Sequence, residues 1–406
     1  MIFPHGLRAL NHRDYRLFIC GQLVSLIGTW MQSVAQAWLV LELTGSAFKL
    51  GIIGTLQFGP MLLFSFLAGA VADRVPKRRM IMATQTALML QAFVLALLCW
   101  SGHVRYWHVA VLAACYGLAN TLDMPVRQAF VVQMVGGRED LPNAIALNSA
   151  MFNSARMIGP AVAGIVVARY GPAWAFGLNG LSFLAVIFAL AFMRTDGLPS
   201  AGERGPVGAE IAAGLRYARD TPRVAIILGV LLCVSIFVFN HNVMVPLLAR
   251  NVLRVDAHGF GLLMSSLGTG AVLGALAVAL WGRTPPLRLV LVAALASAGL
   301  TVVLGGVRSF GWACAVLALL GGAQIVFMAS CNTSLQAQAP DHLRGRVMSI
   351  YAFVFAGVTP IGSFLMGTIA QGFGVRVAYV LGGVLGLAGI LALSWAWARR
   401  GNGAPA

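Results

Sequence analysis

Charge is what this sequence has least of. Its 28 basic and 12 acidic side chains make up 10% of 406 residues, while 59% of the chain is hydrophobic and the mean hydropathy is +0.84. A soluble domain carries roughly 25% charged residues, so a water-soluble globular protein is excluded, and so is a disordered chain. Cysteine is sparse: the six, at positions 20, 99, 115, 233, 314 and 331, include no C-x-x-C pair and all fall in apolar stretches. That excludes a disulfide framework, offers no zinc site and leaves the thiols as small apolar fillers. The chain has no Walker loop, so ATP hydrolysis is not its energy source. It has no His/Cys/carboxylate cluster at ligand spacing and no nucleophile triad, so nothing reads as enzyme chemistry, and neither a metal nor a cofactor is expected.

Apolar runs are what it has most of. Twelve are long enough to cross about 30 Å of hydrocarbon, which takes about 20 residues. They cover approximately 17–43, 48–72, 80–101, 107–134, 143–168, 172–193, 224–249, 258–281, 287–307, 312–335, 347–372 and 375–398. Runs this long satisfy their backbone groups as helices rather than as barrel strands, which predicts an all-α membrane protein. Arg8, Arg13, Asp14 and Arg16 precede span 1, which is too long for a signal-peptide core and lacks an Ala-x-Ala exit, so it is expected to stay as an anchor.

The charges sort by side. With both termini placed in the cytoplasm, 20 basic residues fall in inner segments and 7 in outer ones, with Arg156 inside a span. Such a bias in short loops sets orientation by the positive-inside rule. A net charge of +16 would suggest nucleic acid in a soluble protein; here it reads as topology, with membrane lipid as the partner and no nucleic acid.

Six spans precede and six follow a linker at 194–223, rich in Gly197, Pro199, Gly202, Gly205, Pro206 and Gly208 and closed by Pro222. Its stretch Glu210 to Asp220 places Ile211 and Leu215 four apart with Arg216 and Arg219 beside them, a pattern for a short amphipathic helix on the inner membrane surface. Residues 1–193 and 224–406 thus read as two six-helix bundles. They look like diverged copies: Gly159-Pro160 in span 5 answers to Thr359-Pro360 in span 11, and Asp73-Arg74-Val75-Pro76 after span 2 to Gly282-Arg283-Thr284-Pro285 after span 8. Parallel repeats of this kind put a binding site between the halves near the midplane and work by alternating access.

Three strings carry a family likeness. Gly69-Ala-Val-Ala-Asp73-Arg74-Val-Pro76-Lys77-Arg78-Arg79 resembles the signature loop of the major facilitator superfamily, with Pro76 where that family expects glycine. Ala155-Arg156-Met-Ile-Gly159-Pro160-Ala-Val-Ala163-Gly164 is similar to the antiporter motif of its drug-exporting branches, with alanine replacing two glycines. Asp123-Met-Pro125-Val-Arg127, with Arg138-Glu139-Asp140-Leu141-Pro-Asn143-Ala144 and Leu343-Arg344-Gly345-Arg346-Val347-Met348-Ser349, resembles the subgroup that includes enterobactin exporters and macrolide efflux pumps. The resemblance implies the major facilitator fold, twelve helices in two pseudo-symmetric bundles. It also implies a bacterial-type inner membrane with both termini cytoplasmic, and a monomer.

The same likeness makes Gly69, Asp73, Arg74, Lys77 and Arg78 a conformational latch that holds the outward-facing state. By themselves the basic residues read as topology determinants on anionic lipid, at about 1 kcal/mol each. Asp73 and Arg74 are expected to serve both roles, and Arg78 and Arg79 topology alone. In span 5 the small residues Gly159 and Gly164 allow close helix approach in lipid, and Pro160 removes a backbone hydrogen bond and can bend the helix beside Arg156. In the resemblance reading the bend seals an exporter against leak; the alternative is a kink needed only for packing.

In that architecture spans 1, 4, 7 and 10 line the central cavity. Span 1 carries Gln22, Ser25, Thr29, Gln32 and Gln36 within an arc of about 80° at 100° per residue. The stripe reads as a wet face or as hydrogen bonds between packed helices. Span 4 carries Tyr116, Asn120, Asp123 and Arg127 on one face. Asp123 is the one acid well inside a span, and a carboxylate there is costly unless paired, protonated or hydrated. It is the leading proton-coupling candidate, with Arg127, Arg74 or Arg156 as possible partners; if a pair is permanent, Asp123 is structural. Span 7 offers Ser235, Phe239 and Asn242 on one face with Asn240 and His241 adjoining, and span 10 offers Gln324, Asn332 and Thr333. His241 can titrate near neutral pH or serve as hydrogen-bonded packing. Trp30, Trp38 and Met124 add surfaces suited to bulky amphipathic solutes.

The expectation is a secondary transporter that exports an amphipathic small molecule, a drug or a siderophore, in exchange for protons. The alternatives are an uptake carrier, since direction rests on the span 5 motif, and a non-transporting scaffold or sensor, which needs no wet stripe.

Overall fold

A computed structural model describes residues 5–135, 139–197, 207–281 and 285–401. Arg138, the linker residues Pro199, Gly202, Gly205 and Pro206, and the string Gly282-Arg283-Thr284 lie outside the described residues, as do the side chains of Asp73, Glu210 and Ile211. Among the described residues there is no strand, and twelve helical spans are long and apolar enough to cross a membrane.

The first six spans are unbroken helices: α1 (Arg13–Thr44), α2 (Ala47–Arg74), α3 (Lys77–Trp100), α4 (Tyr106–Met134), α5 (Leu141–Tyr170) and α6 (Pro172–Phe192). They stay continuous although Pro60, Pro125 and Pro160 stand inside α2, α4 and α5. After the linker helix α7 (Val207–Asp220), span 7 comes in pieces. These are α8 (Pro222–Phe237), a break at 238–240, α9 (His241–Leu247) and a wide π-type turn, Leu248–Val252. Then follow α10 (Ala257–Trp281), α11 (Leu287–Gly306) and α12 (Phe310–Gln338). Span 11 is divided as well, into α13 (Asp341–Ala352), a π-type turn at Phe353–Gly357 and α14 (Thr359–Phe373), and α15 (Val375–Gly401) closes the chain.

The break in span 7 corrects the grouping of Ser235, Phe239 and Asn242 on one face. The N–H of Phe239 reaches Val234 O at 3.0 Å, five residues back, so the regular 100° step is lost before Asn242. Two glycines repeat one device in both halves of the sequence. Gly171, at φ 85°, turns α5 into α6, and Gly374, at φ 87°, turns α14 into α15; a side chain at either φ would be strained.

The chain divides into two compact units. One comprises Met1–Gly45, Gly59–Gly202 and Asp256–Ser265, the other Ser46–Phe58, Glu203–Val255 and Ser266–Ala406. The start of α2 therefore belongs with the second unit and the start of α10 with the first. In the first unit α1 lies against α6 at backbone distance, where a Cβ on Gly21 would stand 2.7 Å from Ala185 O. In the second, α10 and α12 meet at Gly274 and Gly322, where a Cβ on Gly274 would stand 2.6 Å from Gly322 O. Small residues at such seams drive association in lipid, where burying apolar surface gives no advantage.

The end of the linker is helical, as α7, and one side of it packs on protein. Gly214 of α7 packs on Arg346 and Ile350 of α13, Tyr217 Oη donates to Gln338 O at 2.8 Å, and Ala218 joins a buried cluster with Val224 and Val347. Leu215, Arg216 and Arg219 remain exposed on the other side.

Candidate functional site

Asp123 is 1% exposed, in the C-terminal half of α4. The two consecutive polar residues of α3 face it: Thr84 Oγ1 donates to its Oδ1 at 2.6 Å and Gln85 Nε2 donates to the same oxygen at 3.0 Å. Its other oxygen, Oδ2, accepts from Arg127 Nη2, one turn away on the same helix, in an ion pair. Of the three cations considered for this carboxylate, the structure selects Arg127. Arg156 instead lies over the ring of Trp30, 5.7 Å from its centroid, and Arg74 is exposed at the end of α2. Charge-assisted bonds to both oxygens offset the desolvation of the carboxylate. Tyr116, two turns up α4, packs beside Leu88 and Phe183, and Asn120 is half-buried.

The polar stripe of α1 is turned into the first unit. Gln22, Ser25, Gln32 and Gln36 are 1–3% exposed, and the exposed residues beside them, Leu23 and Val24, stand on another face. Gln32 is bound on both sides: its Nε2 donates to Gln91 Oε1 of α3 at 3.0 Å, and Asn179 Nδ2 of α6 donates to its Oε1 at 2.7 Å. Ser182 Oγ donates to Asn179 Oδ1 at 3.1 Å, and Thr29 Oγ1 returns to Ser25 O at 2.9 Å. For Gln32, hydrogen bonding between packed helices accounts for the residue, and in this conformation the stripe meets protein rather than open space.

In the second unit the structure brings together two residues from separate spans. His241 Nε2, in a side chain 7% exposed, lies 2.9 Å from Gln324 Oε1 and 2.7 Å from Gln324 Nε2. Asn242 is half-buried, and Asn332 accepts from Gln336 Nε2 within α12 at 2.6 Å.

The glycines of the span 5 motif face two ways. A Cβ on Gly159 would stand 2.9 Å from Ile27 O of α1, and one on Gly164 would stand 3.0 Å from His258 O at the start of α10. Gly261 completes the second contact, since its Cβ would stand 2.5 Å from Pro160 O, and Ser265 Oγ donates to Met157 O at 2.8 Å. Trp38 stacks on Phe260 beside this seam, ring centroids 6.0 Å apart.

Basic residues of the signature loop hold neighbouring chain. Lys77 is 1% exposed, and its N–H bonds Gly197 O at 2.8 Å. Arg78, expected to mark topology alone, pairs with Asp196 at 3.0 Å and donates to Ala191 O at 2.9 Å, binding the end of α6 to the start of α3. The string Glu139-Asp140-Leu141-Pro-Asn143 receives the N-terminal segment. Arg8 Nε pairs with Asp140 at 2.7 Å, His12 Nε2 lies 2.8 Å from its other oxygen, and Ala9 N–H donates to Asn143 Oδ1 at 3.0 Å. Thr84, Gln85, Gln91, Asn179 and Ser182 escaped the sequence reading. Their one signal was polarity inside spans 3 and 6, which are not the spans expected to line a cavity.

Comparison with known proteins identifies the family and the fold. Residues 5–402 match the family described as transmembrane secretion effector. A multidrug efflux pump, Tap, of Mycolicibacterium fortuitum is 26% identical over 90% of this chain and 91% of its own. The enterobactin exporter EntS of Escherichia coli is 24% identical over 91% of each chain. The solved structure of the POT family transporter PepTSo, 13% identical, shares the fold with a TM-score of 0.75 over 96% of this chain and 98% of that one. The chain is a multi-pass membrane transporter and not an enzyme, and it belongs to the transmembrane secretion effector family of the major facilitator superfamily.

Proposed function

We propose that this protein exports an amphipathic small molecule, a drug or a siderophore, across the bacterial inner membrane in exchange for protons, with Asp123 as the residue that takes up the proton. The substrate class follows its relatives, a multidrug pump and an enterobactin exporter. The excess of basic residues at the N-terminal ends of α1 and α3 and in the linker supports cytoplasmic termini.

The observation that carries the proton role is the make-up of the Asp123 site. Thr84 and Gln85 are neutral partners that hold the side chain in either protonation state, whereas Arg127 is bound by charge. Protonation removes the ion pair, leaves the hydrogen bonds of α3 in place and frees the guanidinium on the turn below. A conformational step coupled to Asp123 is therefore a change in where Arg127 is held.

The test is Asp123→Asn in the full chain, reconstituted in proteoliposomes with ethidium and enterobactin as probes. Gradient-driven export is expected to fall at least tenfold, a barrier increase of about 1.4 kcal/mol or more, while probe exchange without a gradient continues. Retained gradient-driven accumulation would rule out Asp123 as the obligatory carrier.

A further inference from the structure

Five buried amide atoms on α1 and α3 have no hydrogen-bond partner among the described residues: Gln22 Oε1, Gln36 Nε2 and Oε1, Gln85 Oε1 and Gln91 Nε2. The residues that carry them are between 0% and 6% exposed. Left dry, each such atom forfeits its hydration without a compensating hydrogen bond, and buried polar groups that converge are met by ordered water.

Apart from Gln22, the residues that carry these atoms lie on adjoining stretches of α1 and α3, which the Gln32–Gln91 hydrogen bond joins. Thr84, bonded to Asp123, and Gln91, bonded to Gln32, are seven residues apart on α3, within about 20° of one face and about 10 Å of rise. Gln36 lies one turn beyond Gln32 on α1. Trp38 Nε1 then donates to Glu42 Oε1 at 2.7 Å, and Glu42 is exposed at the end of α1 remote from the N-terminus. The largest steps, from Gln85 to Gln91 and from Gln36 to Glu42, are each six residues, about 9 Å of helix rise and about 120° around the helix, so waters joining them run round the helix as well as along it.

We propose that Glu42, Gln36, the Gln32–Gln91 pair and Gln85 line a water-bridged proton path that runs inside the first unit to Asp123. The inference rests on the reading of Asp123 as the proton carrier. The amides neither gain nor lose protons; they anchor and orient the waters. A proton from the outer solution joins the first water, each water passes one on, and the last delivers one to an Asp123 carboxylate oxygen. The carboxylate becomes a carboxylic acid and its ion pair with Arg127 ends; the proton leaves later to cytoplasmic water, so charge and atoms balance.

Gln36 decides between this path and a merely misplaced polar side chain. Because neither atom of its amide has a hydrogen-bond partner among the described residues, Gln36→Leu breaks no such bond and is expected to fold; Gln91→Leu gives up the bond to Gln32 and serves as the second variant. Both are reconstituted as full chains, with ethidium and enterobactin as probes. Gradient-driven export is measured against outer pH and in H2O and D2O, beside probe exchange without a gradient. The path predicts that gradient-driven export falls about tenfold, a 1.36 kcal/mol step, with a larger solvent isotope effect, an optimum at more acidic outer pH and exchange within twofold of the parent. Unchanged gradient-driven export in Gln36→Leu overturns the path, and so does an equal loss in both transport modes. If Asp123→Asn keeps gradient-driven export, the carrier reading fails first; if it loses export while Gln36→Leu does not, the path alone fails.

Discussion

At the scale of single residues, the Asp123–Arg127 pair concentrates what little charge the membrane-spanning part of the chain keeps. Removing one member leaves the other buried without a counter-charge, which costs up to about 3–5 kcal/mol for fully buried pairs; with Arg127 half-buried the cost is expected nearer 1–3 kcal/mol. Asp123→Asn and Arg127→Gln should each lower the thermal midpoint of the detergent-solubilised protein. The double variant should sit above the sum of the two losses, a coupling that a double-mutant cycle reads directly. Asp123 was legible in the sequence because an acid in mid-span stands out. Its neighbours Thr84 and Gln85 were not, because span 3 is not among those expected to line a cavity, and their role exists only where α3 and α4 lie side by side. The stripe of α1 was legible as a pattern, but a pattern gives a face and not what the face meets; Gln32 meets α3 and α6.

At the scale of elements, the span 5 motif works as two contacts on one helix, Gly159 towards α1 and Gly164 towards Gly261 of α10. Gly261→Val should force that second contact open, since its Cβ alone would stand 2.5 Å from Pro160 O, and export of the probes should fall more than tenfold while the protein still folds. Gly306→Ala, at a position with nothing within 4 Å of the added carbon, is the control and should leave export unchanged. The small residues of span 5 announced a close approach, yet nothing announced Gly261 as the partner, which lies about a hundred residues away. The break in span 7 was hidden for another reason. No glycine or proline marks it; instead Asn240 Nδ2 takes Ile236 O at 2.7 Å, a side chain competing with the helix for its own carbonyl. Gly362 of α14 seats against that carbonyl, where a Cβ would stand 2.6 Å away, so the break in span 7 is packed by the helix that follows the break in span 11.

At the scale of the whole molecule, the twelve spans were read from hydropathy to within a few residues because lipid leaves the backbone no alternative to helix. The division into compact units was less visible. The sequence divides at its linker, whereas the start of α2 packs in the second unit, with Thr55 Oγ1 donating to Pro360 O at 3.1 Å and Ser46 Oγ to Gln371 Oε1 at 2.9 Å. Fragments 1–202 and 203–406 expressed separately should therefore each be unstable, the second lacking residues 46–58 and the first lacking 256–265. Co-expressed, they should copurify and recover export, which tagged pull-down and probe efflux measure.

The clasp of Lys77 and Arg78 on Asp196 and Gly197 has a mechanical meaning beyond its hydrogen bonds. It moors one end of the linker to the start of α3, while α7 moors the other end to α13. Gly197 and Val207 are ten residues apart, and a chain of that length reaches about 35 Å at most. While both clasps are closed, the linker is a leash of set length.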